Sequence, residues 1–324
     1  MTETWFPLLV GLVLLVGGGE LLVRGAVQAA EKIGITPLVI GLTLVGFGTS
    51  MPELVTSVQA GLGGFPGIAF GNIVGSNIAN ILLIAGVSAL IFPIVITRSA
   101  LRRDAVVMLL VAVAFAVLAL LLPMGRVVGA SLVALLIGYI WFVIHQERAG
   151  PDGGAIDDKS AALAGADPGI AATHRRNGLT VSLLIALAGL ALVVIGGYFL
   201  VSGAVAIARN LGVSETVIGL TIVAVGTSMP ELVTSVIAAL KRQGDMAFGN
   251  IVGSNIYNIL GIGGTTALIA PSHVPEQIVR FDAPVMVAVS MLLVVFAATG
   301  FRIGRREGAI LVTGYIAYGW LLWP

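Results

Sequence analysis

The chain has 324 residues, of which 58% are hydrophobic and only 10% charged, with a formal net charge of +1. A soluble domain carries roughly a quarter of its residues as Asp, Glu, Lys and Arg, so this chain cannot cover itself with polar surface and reads as an integral membrane protein. The near-zero charge offers nothing to nucleic acid, and the lack of Cys excludes disulfides and thiolate metal sites. Three scattered His (His145, His174, His273) do not make an imidazole centre.

A spanning helix needs about 20 mostly apolar residues to cross about 30 Å of hydrocarbon. Cut at charges and turn residues, the chain yields a first set of five segments at 6–23, 38–61, 69–93, 105–125 and 127–146. A second set follows at 180–208, 216–239, 247–270, 283–301 and 308–323. These runs are long and do not alternate, which predicts an all-α bundle of ten transmembrane helices and not a β-barrel. No cationic leader precedes the first run, which is therefore expected to span the membrane and not to be cleaved. Residues 147–178 are rich in Gly, Ala, Asp and Pro, and read as a linker between units 1–146 and 179–324. Asp152, Asp157, Asp158 and Asp167 in it lack the spacing of a calcium loop.

Counting Lys and Arg across ten spans orients them. Fourteen fall on one side: Arg24, Lys32, Arg98, Arg102, Arg103, Arg148, Lys159, Arg175, Arg176, Lys241, Arg242, Arg302, Arg305 and Arg306. The other side has three, Arg126, Arg209 and Arg280. The first side is expected to be cytoplasmic, with the 147–178 linker, and both termini extracytoplasmic in a prokaryotic plasma membrane.

The two halves repeat at an offset of 178. Gly48–Val58 reads GTSMPELVTSV and recurs letter for letter at Gly226–Val236; AFGNIVGSNI occurs at Ala69–Ile78 and Ala247–Ile256. Five spans per copy is an odd number, so the copies must cross in opposite directions. Such an inverted-topology repeat points to a secondary transporter with its site near the midplane. The pseudo-two-fold axis should bring Glu53 to face Glu231.

From Ile33 to Thr97 the only charged residue is Glu53, and from Thr216 to Leu240 it is Glu231. One isolated buried acid could be a tolerated, hydrogen-bonded group; two at equivalent positions in identical polar settings read as an ion site. Pro52 removes the backbone donor that would reach the Gly48 carbonyl, so the helix should open just before Glu53, and Pro230 and Gly226 repeat this. Freed backbone at that depth is tolerated only where protein covers it or it lines a cavity. Asn72, Ser76 and Asn80 share a helix face at spacing four, and so do Asn250, Ser254 and Asn258. Asn72 and Asn250 read best as interhelical hydrogen-bonding groups. Asn77 and Asn255 point elsewhere, toward other helices, while Gly71, Gly75, Gly249 and Gly253 read as close-packing positions. Glu20 with Arg24 reads as a structural ion pair, and Arg102, Arg103 and Asp104 as surface groups at a span end.

Carboxylates, amide oxygens, hydroxyls and carbonyls are hard donors that suit Ca2+, which takes about six to eight of them, or Na+ of similar size. Two carboxylates balance one Ca2+ or two Na+, which is the minimum for an antiporter. Protons could replace sodium in a Ca2+/H+ exchanger, although hydroxyl ligands favour sodium. A channel or an intramembrane enzyme fits worse: the spans show no HExxH, no Cys nucleophile and no Asp dyad.

The doubled GTSMPELVTSV and GNIVGSNI blocks resemble the two alpha repeats of the cation/calcium exchanger superfamily, specifically the prokaryotic sodium/calcium antiporters. The resemblance covers nearly the whole chain. It implies a five-plus-five inverted fold and exchange of Na+ for Ca2+ by alternating access. It further implies Glu53 and Glu231 as central ligands, and Thr49 and Thr227 as carbonyl ligands of calcium. Ser50, Ser76, Ser228 and Ser254 would serve flanking sodium sites with the Gly46 and Ala224 carbonyls, and Asn80 would line the middle. Relatives often carry Asp where this chain has Asn258, so here the pair Asn80 and Asn258 is symmetric. No bound cofactor is expected, the ions being cargo, and no obligatory protein partner is evident.

Overall fold

The structure is a computed structural model that describes residues 2–32, 46–98, 100–148, 178–240, 242 and 244–323. The start of the expected second span and nearly all of the expected linker lie outside these residues. The long apolar runs are helical because hydrocarbon offers no partner for backbone N–H and C=O groups. In chain order the helices are α1 Thr2–Lys32, α2 Gly46–Thr49, α3 Met51–Leu62, α4 Pro66–Ile91, α5 Ala100–Leu121 and α6 Arg126–Arg148. Then follow α7 Leu179–Leu211, α8 Glu215–Thr227, α9 Met229–Leu240, α10 at 244–269, α11 Ile278–Ala298 and α12 Arg305–Leu322.

Six of these are long and apolar enough to cross a membrane, and α8 with α9 makes a seventh if that pair, bent by 49°, is one span. Of the remaining expected spans, α10 is rich in Gly and Asn, and α12 opens on Arg305, Arg306 and Glu307. The helices begin before their expected limits, because a helix starts in polar residues ahead of its apolar stretch, whereas α4, α5, α10, α11 and α12 end one to four residues short of theirs. At about 1.5 Å per residue, α1 and α7 are longer than the hydrocarbon is thick.

Helices recur at the 178 offset, and the two copies interlock. Equivalent helices α1 and α7 pack antiparallel through glycines spaced seven residues apart on each. A Cβ on Gly11 would stand 2.5 Å from Leu200 N, and one on Gly18 2.8 Å from Val193 N. In return, one on Gly196 would stand 2.8 Å from Leu15 N and one on Gly203 2.6 Å from Leu8 N. Without side chains at these positions the backbones touch, which is how helices associate when lipid offers no hydrophobic drive.

The last helix of each half packs on the third helix of the other. Gly308 of α12 meets Gly86 of α4, and Gly129 of α6 meets Gly264 of α10. Two short antiparallel pairings close the ends: β1 Ile94–Val95 with β2 Arg302–Ile303, and Met124 with Ser272. In α4, 83% of the apolar window is buried, against 22% in α5 and 17% in α6. The polar repeat therefore runs through the middle of the bundle, and the apolar helices surround it.

Candidate ion site

Each half breaks its helix at one serine. Ser50, between α2 and α3, has φ −92° and ψ 10°; Ser228, between α8 and α9, has φ −82° and ψ 11°. The breaks stand where Pro52 and Pro230 were expected to put them, each in the first turn of the helix that follows. Glu53 and Glu231 also lie in those first turns. There the unbonded N–H groups favour a negative charge.

The two copies cross at this point. Ser50 Oγ donates to Glu231 Oε1 at 2.9 Å, and Ser228 Oγ donates to Glu53 Oε1 at 2.9 Å. Each carboxylate is thus held by the break of the other half, and the two are close enough for their charges to act on one another. Glu53 and Glu231 are 1% and 2% exposed, so no bulk water screens that repulsion. Thr49 stands beside the Glu231 carboxylate. Thr227 Oγ1 lies 3.0 Å from Asn72 Oδ1 and 3.0 Å from the Val223 carbonyl.

A second symmetric set steadies the breaks. Asn72 Nδ2 donates to the Glu53 carbonyl at 3.2 Å and to Ser57 Oγ at 2.9 Å. Asn250 Nδ2 does the same to the Glu231 carbonyl at 3.3 Å and to Ser235 Oγ at 2.9 Å. Asn72 and Asn250 are thus the interhelical groups expected from the sequence. Ser76 is buried one turn beyond Asn72, 3.5 Å from its Oδ1, and Ser254 is buried one turn beyond Asn250. Asn77 differs from expectation: its amide turns back to the Ile73 carbonyl of its own helix at 2.7 Å. Asn255 does reach other helices, accepting from Asn80 Nδ2 at 3.3 Å and donating to Met108 Sδ at 3.5 Å.

Asn80 and Asn258 each open a π-helical turn, Asn80–Ala85 in α4 and Asn258–Gly263 in α10. Such turns insert a residue into a helix and are frequent at functional sites. No residue type announces them, so the sequence held no signal for this feature. Among the described residues ten buried side-chain oxygens lack a hydrogen-bond partner, and four of them belong to the expected site: Glu53 Oε2, Glu231 Oε2, Asn80 Oδ1 and Asn258 Oδ1. Unpaired acceptors at such depth are costly unless something positive meets them.

The Ala224 carbonyl accepts from Ser228 N at 3.1 Å and from Thr227 Oγ1 at 3.3 Å. Close packing holds for Gly71 and Gly75, where a Cβ would stand 2.9 Å from the Thr216 carbonyl and 2.5 Å from that of Leu220. Gly249 and Gly253 are exposed instead, with no described atom within 4 Å of a Cβ there. Among the described residues no three His, Cys, Asp or Glu side chains gather in one place. The centre is a carboxylate pair with neutral oxygens, which suits hard cations and not zinc, copper or iron.

A buried, two-fold-related cluster of oxygens inside an apolar helical bundle defines a multi-pass membrane cation carrier. The model of the family described as "Sodium/calcium exchanger protein" matches residues 4–145 and 181–323, and the chain belongs to that family. It is 37% identical over 321 residues to the putative antiporter CaxA of Alkalimonas amylolytica, covering 97% of each chain. To the sodium/calcium exchanger MaX1 of Methanosarcina acetivorans it is 37% identical over 345 residues, covering 98% of each. A structure of the sodium-calcium exchanger NCX_Mj, soaked with 2.5 mM Na+ and 0.1 mM Ca2+, superposes with a TM-score of 0.65. Its sequence identity is 32%, with 100% of both chains covered. The protein is therefore a transporter of the cation/Ca2+ antiport class.

Proposed function

We propose that the chain exchanges Na+ for Ca2+ by alternating access, at a midplane site built on Glu53 and Glu231. One observation carries this reading: each glutamate is tied to the serine break of the opposite half, and each keeps one oxygen without a donor. Two carboxylates balance one Ca2+ or two Na+, so each cargo can neutralise the site while excluding the other. Asn80 and Asn258 each supply a further buried oxygen that lacks a donor. Thr49 and Thr227 serve calcium through their carbonyls. Ser50, Ser76, Ser228 and Ser254 serve flanking sodium ions, with the carbonyls of Gly46 and Ala224. For Ala224 this requires sharing a carbonyl that the helix already uses.

Ten spans in two inverted halves, 1–146 and 179–324 joined by 147–178, complete the proposal. The antiparallel seam of α1 with α7 supports the inversion, because equivalent helices there point in opposite directions. The excess of Lys and Arg on one side puts the termini outside and the linker in the cytoplasm.

The test is radioactive Ca2+ uptake into proteoliposomes loaded with Na+, K+ or choline, at clamped pH and potential. Uptake is expected only with Na+ inside. Equal uptake driven by a pH difference in choline would replace sodium with protons as the counter-ion, and uptake with no opposing gradient would indicate a channel.

The crossed bonds lead to a matched pair of effects. Ser50→Ala and Ser228→Ala are each expected to weaken apparent Ca2+ affinity by roughly 10- to 100-fold, since a hydrogen bond to a charged group is worth about 1.5–3 kcal/mol. Titrating Ca2+ in the same uptake assay measures this. A deficit confined to one serine would contradict the equivalence of the two halves.

A further inference from the structure

Four arginines from three separate stretches of chain meet on the two-stranded ribbon of β1 and β2. Arg302 belongs to β2 and pairs in register with Val95. The Arg98 guanidinium lies 5.2 Å from the centre of the Phe301 ring, and that of Arg242 lies 5.4 Å from the centre of the Phe92 ring. Arg305 Nη2 donates to the Ile91 carbonyl at 3.4 Å. A Cβ on Gly244 would stand 2.5 Å from Val95 N, so the turn that carries Arg242 presses on β1. All four arginines are exposed, and among the described residues no carboxylate pairs with them. Asp104 is held by Arg103 at 2.6 Å and Tyr139 at 3.0 Å, and Glu307 accepts from Gly304 N at 2.5 Å.

The backbone marks the same place. Arg242 (φ 61°) and Phe301 (φ 54°) are the non-glycine residues with left-handed backbone among the described residues, and each is one partner of an arginine–ring contact. A side chain is strained in that conformation, and such strain concentrates at functional sites. The counterpart of Arg242, 178 residues earlier, is Gly64, which adopts φ 78° without strain. The chain thus carries arginine where its own repeat carries glycine.

The matching ribbon of the other half is not basic. Counterparts of Arg98, Arg302 and Phe301 there are Glu276, Met124 and Pro123. Arg280 beside that ribbon is already paired with Glu276 at 2.6 Å. Orienting the spans requires only an excess of positive charge on one side. It requires neither convergence of distant arginines on one ribbon nor a left-handed arginine.

We propose that the β1–β2 ribbon is a binding site for the phosphate of an anionic phospholipid headgroup. The ribbon links the ends of α4 and α11 to the starts of α5 and α12, which puts it at the membrane surface. Guanidinium forks match phosphate oxygens in two-point contacts, and basic pockets between spans are where anionic headgroups settle. Phe92 and Phe301 hold two of the forks over their rings and leave the outer edges of the forks free for phosphate. This site is remote from Glu53 and Glu231 in function, so it stands or falls apart from the exchange reading.

The test is retention of labelled phosphatidylglycerol by the purified full-length protein in neutral detergent, competed with phosphatidylcholine or with inorganic phosphate. The unaltered protein is expected to prefer phosphatidylglycerol. Arg242→Gly and Arg98→Gln are each expected to weaken binding by roughly fivefold, and Arg126→Gln, beside the matching ribbon, to leave it unchanged. Arg242→Gly restores the residue its own repeat uses and relieves the backbone, so it is expected to fold; Arg98→Gln gives an independent reading. Equal retention of phosphatidylcholine, or unchanged retention in both variants, would reduce the ribbon to ordinary lipid contact. Complete displacement by millimolar inorganic phosphate would make it a free-anion site and overturn the assignment to lipid.

Discussion

Glu53→Gln and Glu231→Gln are each expected to abolish Ca2+ exchange while leaving a folded bundle. A dication taken out of water needs nearby negative charge to offset its lost hydration, and among the described residues only these two carboxylates supply it at the site. Removing one leaves the ion half compensated. Uncompensated buried charge costs about 3–5 kcal/mol, or roughly two to four orders of magnitude in affinity. Glutamine keeps the shape, and its Oε1 can still accept from Ser228 or Ser50. Without ions the variants should be no less stable than the parent protein, because one of two mutually repelling charges has gone. The parent should gain thermal stability as Ca2+ is added, since the ion binds only the folded state, and the variants should gain far less. Uptake near the parent rate in either variant would remove that glutamate from the centre of the site.

The features that the sequence made legible are those whose physics is local or repeated. Pro52 and Pro230 act on the carbonyl four residues back whatever surrounds them, so the breaks could be placed within a residue. A lone acid in an apolar run is conspicuous, and the 178 offset supplied the partner. Partnering across the halves is different, because nothing near Ser50 states that its hydroxyl meets Glu231 and not Glu53. The π-helical turns at Asn80 and Asn258 leave no mark in residue type, since they depend on how α4 and α10 are gripped by α12 and α6. Asn77 departs from its expectation for the opposite reason. Its amide found a local carbonyl, Ile73, before any distant helix could offer one. Gly249 and Gly253 copy the letters of Gly71 and Gly75, but the residues equivalent to most of those that Gly71 and Gly75 press on lie outside the described residues.

The glycine seam of α1 and α7 sets the second large effect. Gly18→Leu and Gly196→Leu are expected to prevent a stable folded protein, whereas Gly17→Leu should be tolerated. At Gly18 even the first carbon of a side chain would stand 2.8 Å from Leu192 Cβ and Val193 N, and at Gly196 2.8 Å from Leu15 N. The atoms in the way include backbone, which cannot rotate aside, so the helices would have to separate. Overpacking a core costs about 1–3 kcal/mol when side chains can adjust, and a backbone clash repeated down a seam should exceed that. Gly17 is exposed and has no described atom within 4 Å of its Cβ position, so leucine there is accommodated one residue from the clash. The seam also bears on the ion site. A Cβ on Gly226, two residues before the Ser228 break, would stand 2.5 Å from Leu12 Cδ2 of α1, and Gly48 is covered in the same way by Val23. Forcing α1 from α7 should therefore loosen both breaks together. Gel filtration and unfolding temperature of the three variants in detergent measure the effect. A Gly18→Leu protein as stable and monodisperse as Gly17→Leu would show that the antiparallel seam does not hold the two halves together.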